Sequence, residues 1–153
     1  LSSISTESHA LADRLAIADI IHLYARAMRE RRPLDGAALF TNDGVFEIRD
    51  GMPGEAPWRV RTRLEGRPAI EAYLTRGDGT GTGVCPLIHN ILVEMDGDTA
   101  RANAVMQTQI IGTSHMLTGE YHDDCVRVDG AWRFAVRRFT IFGPQPAPPE
   151  SAT

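Results

Sequence analysis

The sequence predicts an α+β fold: a curved antiparallel sheet wrapped around N-terminal helices, forming a cone with an apolar pocket. Three observations carry this expectation. A chain of 153 residues holds one domain and buries enough surface to need no covalent staples. Helical periodicity comes first, in one long N-terminal run. From Val84 onward the pattern is all strand, with short polar turns between long apolar stretches.

Ser5 to Ser8 is a polar lead-in with several possible N-caps, and the domain is expected over residues 8–142. From there to about Arg31, residues Ile17, Ile20, Ile21, Tyr24, Ala27 and Met28 recur at three- and four-residue spacing and form one apolar stripe. Asp13, Arg14, Asp19, Arg26 and Glu30 fall largely off it. Pro33 ends this helix, and a short second helix is expected from about Asp35 to Phe40, with Asp35 near its N-cap. Thr41 to Gly44 reads as a turn and Val45 to Ile48 as a strand. Asp50 to Pro57 is a loop, and Trp58 to Leu64 alternates as a strand. Pro68 opens a third helix to about Thr75. Gly77 to Gly83 reads as a mobile loop.

Four strands follow: Val84 to Met95, Ala100 to Gly112, Met116 to Val128 and Ala131 to Phe142. The Asp-Gly steps at Asp96-Gly97 and Asp129-Gly130 are strong short-hairpin signals, so the four make an antiparallel meander. A long sheet twists and curls, and helices must cover one of its faces. The enclosed space is a natural pocket for a small organic molecule. Residues 143–153 form a Pro-rich tail, read as an extended arm or a disordered end.

Composition excludes several chemistries. All 16 basic residues are arginine, so Schiff-base catalysis, covalent pyridoxal phosphate and a P-loop lysine are ruled out. A net charge of -4 argues against nucleic acid as a general partner. No apolar run approaches the ~20 residues of a membrane span. The N-terminus Leu1-Ser2-Ser3 has neither a start methionine nor a signal-peptide pattern and reads as trimmed. Cys85 and Cys125 lie in apolar strand-like runs, as buried free thiols of a reducing cytoplasm do.

The residues also carry a resemblance. The segments are Leu15 to Ile21 with Tyr24 to Ala27, Ala38 to Phe46, Gly66 to Ile70, and His89-Asn90 with Asp96 to Ala100. Gly119 to Asp123 and Asp129 to Phe134 with Arg137 complete the set. In order and spacing the chain resembles SnoaL-like proteins of the nuclear-transport-factor-2-like (cystatin-like cone) superfamily, over about residues 10–140. The resemblance implies a cone-shaped pocket and a homodimer or homotrimer. It also brings in polyketide cyclases, scytalone dehydratase, steroid isomerases and hexachlorocyclohexane dehydrochlorinase, beside many members without a known reaction.

Two of those enzymes share a His–Asp pair, an aspartate late in the first helix orienting a histidine on the first long strand. Here the corresponding positions are Arg29 and Pro86. Other residues match positions that line the family's pocket. Tyr24 is a candidate hydrogen-bond donor to a substrate carbonyl, or a core tyrosine. Tyr121 and Asp123 share one strand face, with His115 on the same parity. Asp123 is a candidate base, or the partner of Arg137 in a structural ion pair. Arg137 could hold an anionic or leaving group, or satisfy Asp123. His89 lies either in the pocket or on the outer face. Period two places Asn90 with Pro86 and Ile88 on one face, and Arg29 and Asn90 are candidate substrate contacts.

Arg59, Arg61 and Arg63 form an anion site or a solvated edge. His122, Asp123 and Asp124 alternate in direction and are not expected to share a metal. The functional expectation is cofactor-free dehydration or isomerisation of an apolar cyclic substrate, with no metal. Tyr24, Asp123 and Arg137 would work with His89 or His115 as base. The alternatives are a non-catalytic ligand-binding or degenerate cone, and an oligomer-forming assembly subunit.

Overall fold

The computed structural model describes residues 2–77 and 83–143, with side chains from residue 5. Most of the expected Gly77–Gly83 loop and the Pro-rich tail beyond Gly143 lie outside the described residues. The elements, in order, are α1 (Ser2–Arg29), α2 (Pro33–Ala37), β1 (Phe40–Gly51), β2 (Arg59–Glu65), α3 (Arg67–Arg76), β3 (Val84–Asp96), β4 (Thr99–Ile110), β5 (Met116–Val128) and β6 (Ala131–Phe142). The strands form one sheet in the order β2-β1-β6-β5-β4-β3. It is curved and does not close. No described helix is long and apolar enough to cross a membrane.

The expected stripe on α1 is the buried one. Ile17 and Ile21 are fully buried, with Ile20, Tyr24 and Ala27 close behind, and they meet Phe40, Phe46 and Phe134 in a single core. The helix starts at Ser2, earlier than Ser8, so the polar lead-in is its first turns. It ends by a backbone device that sequence hides. Arg31 takes φ 54, and the Arg32 amide reaches back to the Ala27 carbonyl at 2.8 Å, capping the carbonyls of the last turn. Pro33 then begins α2 directly, since its missing N–H costs nothing at a first helical position. Asp35 therefore lies inside the helix, not at its cap, and is exposed in an ion pair with Arg32 at 3.0 Å.

Thr41 to Gly44 belongs to β1 and is not a separate turn. The strand is irregular there, with a register shift between Phe40 and Val45 where it runs parallel to β6. The four-stranded meander is as expected, and its three internal pairings are antiparallel. Asp129 and Gly130 both have positive φ (50 and 79), the backbone that the tight β5–β6 hairpin requires. On the inner face β4 contributes Ala100, Ala102, Ala104 and Met106, all buried. On the outer face Trp58 folds back from the β1–β2 loop onto His122 and Phe142, with ring centroids 5.4 and 6.4 Å away. Gly51 makes room for it, because a Cβ there would sit 1.9 Å from the indole.

Two bulges set which side chains face inward. In β3 the register shifts between His89 and Leu92, and Asn90 takes φ 52. In β6 Ala135 is the extra residue, since Asp124 pairs with Val136 while Cys125 pairs with Phe134. Each bulge breaks the alternation of period two within its strand.

Candidate functional site

The inner face brings one charged pair into the core. Asp123 on β5 and Arg137 on β6 are direct cross-strand partners. Neither side chain reaches solvent, and Arg137 Nε stands 3.6 Å from Asp123 Oδ1. That is an ion pair without a hydrogen bond. Both carboxylate oxygens and all three guanidinium nitrogens lack a hydrogen-bond partner among the described residues. Buried polar groups in native proteins are nearly always hydrogen-bonded, so five such atoms together mark a special place.

Aromatic faces surround the cation. The guanidinium carbon lies 3.7 Å from the ring centre of Tyr121, 4.3 Å from Phe134 and 4.4 Å from Tyr24. The negative ring faces offset part of the cost of burying this charge. Tyr24 in turn meets Phe40, Phe46, Tyr121 and Phe134 edge-on, with centroids 6.2–6.3 Å away. Its place on the α1 stripe aims it at the pair.

Burial pushes the Asp123 carboxyl up to about 7; Arg137 opposes this without cancelling it, and Asp124 adds to the rise. Burial likewise raises both tyrosine hydroxyls, with Tyr121 adding to the shift on Tyr24 and Arg137 opposing it on both. Burial moves the Cys125 thiol to about 12, which leaves it a protonated core residue at neutral pH. The chemistry available is a carboxyl poised between its two forms, a fixed cation and two neutral phenols.

The structure thus brings together Tyr24, Tyr121, Asp123 and Arg137 and leaves the other candidates apart. His89 is exposed, opposite Val105 on the outward side of the sheet. His115 is exposed in the β4–β5 turn, before β5 begins. Asn90 is exposed rather than on the face of Pro86 and Ile88, because the bulge turns it out. Arg29 is exposed at the end of α1, 3.4 Å from Glu30. Pro86 does face inward, paired with the buried Thr108. Among the described residues, none of the histidines lies in the core: His9, His22, His89 and His115 are exposed, and His122 is on the outer face.

Sequence reasoning passed over Phe134. It stands three residues before Arg137, so period two puts them on opposite faces, and only the bulge at Ala135 lets both point inward. The arginines of β2 turn to protein carboxylates. Arg59 meets Asp50 at 2.9 Å, Arg61 meets Asp50 at 3.0 Å, and Arg63 meets both Glu65 and Glu47. His122 and Asp124 point away from Asp123, and no group of three metal-ligating side chains occurs among the described residues. Two open depressions, of about 860 and 490 Å³, share Glu94, Arg101 and Asp124, and the larger also touches Thr41 to Asp43 of β1 and Cys125. Asp123 itself is among the residues that line the smaller one.

Comparisons with known proteins agree with this architecture. An uncharacterized protein of Mycobacterium tuberculosis is 27% identical over 134 residues, covering 84% of each chain. A protein of Novosphingobium aromaticivorans described as a candidate scytalone dehydratase superposes with a TM-score of 0.69 at 23% identity, over 96% of this chain and 99% of that one. A nuclear-transport-factor-2-like protein with a cystatin-like fold from the same organism gives 0.69 at 21% identity, over 92% and 89%. These two likenesses show the fold alone. Residues 9–138 match the SnoaL-like domain, and the chain belongs to that family, whose cone fold suits the binding of small molecules.

Proposed function

We propose that the inner face binds a small, mainly apolar cyclic molecule bearing one oxygen group, and that Asp123 moves a proton to or from it. The reaction class is cofactor-free dehydration or isomerisation. The observation that carries this reading is the Asp123–Arg137 pair, whose polar atoms lack hydrogen bonds inside an aromatic cage. A carboxyl near pH 7 is suited to general acid–base work, since both its forms are present where the protein operates. The Arg137 guanidinium and the Tyr24 hydroxyl supply positive charge and a neutral donor for an oxygen that gains charge as the proton moves. With no histidine in the core, Asp123 takes the role that a His–Asp dyad has in related enzymes.

A second reading is a ligand-binding cone without catalysis. The inward Pro86 and the exposed Arg29, which replace that dyad, favour it. In either reading the protein acts as a homodimer or homotrimer without nucleic acid, metal or cofactor, in a reducing cytoplasm that suits two unpaired cysteines. The test is a thermal-shift screen of steroid, polyketide and monocyclic aromatic pools. A hit is expected to lose affinity on Tyr24→Phe and to lose turnover by at least ~100-fold on Asp123→Asn. Affinity that survives Tyr24→Phe, or turnover that survives Asp123→Asn, overturns the assigned role. Binding without turnover selects the second reading.

A further inference from the structure

Strand β2 is an edge of the sheet, and its arginines have no part in the buried core. It pairs with β1 on one side and, among the described residues, makes no backbone hydrogen bond on the other. A free edge is a row of unpaired amide and carbonyl groups, a ready template for one more strand. Along it Arg59, Arg61 and Arg63 recur at every second position, with side chains 55%, 50% and 48% exposed. The carboxylates that hold them lie deeper. Asp50, 10% exposed, takes Arg59 and Arg61, and Glu47, 8% exposed, takes Arg63 together with Arg49. The register shift against β1 leaves Arg61 as the extra residue, so that it and Arg59 reach one carboxylate.

Each pairing fixes a guanidinium without exhausting it. A guanidinium carries five N–H donors. Arg59 gives Asp50 one nitrogen, at 2.9 Å, and Arg61 gives it two. Because Asp50 and Glu47 are covered, the strand shows solvent mainly positive charge, on a chain whose net charge is -4. Glu65 is the one acid within β2. It is 68% exposed and bonded to Arg63 at 2.8 Å, so the cationic stretch centres on Arg59 and Arg61.

We infer that β2 is a docking edge for an extended acidic segment of a partner protein, which adds as a further strand with its carboxylates on Arg59 and Arg61. Main-chain hydrogen bonds to the free edge supply affinity, and side chains at alternate positions supply selectivity. An extended segment repeats its side chains every second residue, as the arginines do. Guanidiniums already held in place by buried acids lose little freedom on meeting a second carboxylate, and their planar forks match it. A second copy of β2 would set arginine against arginine, a repulsive pairing. The other edge of the sheet, β3, packs against α1 and contains no arginine.

The test is calorimetry and hydrogen exchange on the full chain with an end-blocked peptide of three Glu-Val repeats. The peptide is expected to bind, to slow exchange of the β2 amides, and to bind more weakly as salt is raised. Its Lys-Val counterpart and its N-methylated form, which cannot donate main-chain hydrogen bonds, are expected not to bind. Arg59→Gln should weaken the acidic peptide by at least ~10-fold. Arg61 still holds Asp50 in that variant, so the carboxylate keeps a partner. Equal binding of the acidic and basic peptides overturns the inference, as does binding that leaves the β2 amides unprotected, or no binding at all. An N-methylated peptide that binds as well and is displaced by inorganic phosphate marks a small-anion site and overturns it too. If Arg59→Gln fails to fold, the three peptides on the wild-type chain decide. None of these outcomes bears on the inner face.

Discussion

At the scale of single residues, the core contains a group that is costly in one of its two forms. Burial raises the Asp123 carboxyl well above the ordinary carboxylate range. Its contribution to stability is therefore fully present below about pH 4 and is lost as pH rises through about 7. Between pH 5 and 8 the wild-type melting temperature is expected to fall, while that of Asp123→Asn stays nearly flat. The gap between the two curves should change by about 5 °C across that window. Circular dichroism melts at half-unit steps measure it, and parallel curves would show that Asp123 is ionised throughout. Tyr24, Asp123 and Arg137 were all legible as candidates, from the α1 stripe, strand parity and the resemblance to the family's pocket-lining positions. That five of the pair's polar atoms go without hydrogen bonds was not, because it depends on a separation of 3.6 Å.

At the scale of elements, α1 is fastened to the sheet by a polar tether as well as by its apolar stripe. Asp13 receives two hydrogen bonds from Arg127, at 2.7 and 2.9 Å, and one from the Trp132 indole at 3.1 Å. Arg127 also stacks over Trp132, 4.8 Å from the ring centre, and reaches Asp98 at 2.9 Å. Hydrogen bonds from Arg127 and then Trp132 hold the Asp13 carboxyl below its usual range. The tether's stabilisation is thus present above about pH 4 and is lost as pH falls below it. Asp13→Asn should lower the melting temperature by a few degrees at pH 7, and the deficit should shrink toward pH 3. An unchanged deficit at pH 3 would mean that the carboxylate charge has no part in it. In sequence Asp13 was only a polar residue off the stripe; its partners are more than a hundred positions away. The bulges at Asn90 and Ala135 were equally hidden. Asn tolerates positive φ, but nothing local says that β3 must shift register there.

At the scale of the whole molecule, apolar side chains remain uncovered. Leu87 and Leu92 on the outward side of edge strand β3 are 53% and 66% exposed, and Leu11 and Leu15 on α1 are 61% and 59%. A single chain with this much open leucine fits the proposed homo-oligomer. Sedimentation at tens of micromolar is expected to give the mass of two or three chains, and Leu92→Glu to shift it toward one. A wild-type monomer at that concentration would remove self-association from the proposal. The pairing of β1 with β6 is parallel and joins the first strand to the last, so no hairpin signal announces it. It closes the aromatic core by placing Phe46 beside Arg137.

The sequence by itself determined the class, the order of elements, the long meander and the apolar stripe of α1. Each of these is set by local periodicity and by turn residues such as Asp129-Gly130. Its composition also excludes lysine chemistry, and its resemblance to the SnoaL-like family implies that Arg29 and Pro86 take the places of a His–Asp dyad. Only the tertiary structure decided which candidates meet. Arg29, whose charge looked like the main departure from the family's chemistry, is on the surface, and the fully buried arginine is Arg137. Inward or outward placement in a strand depends on every bulge before it, and a bulge answers to the neighbouring strand, not to its own residues.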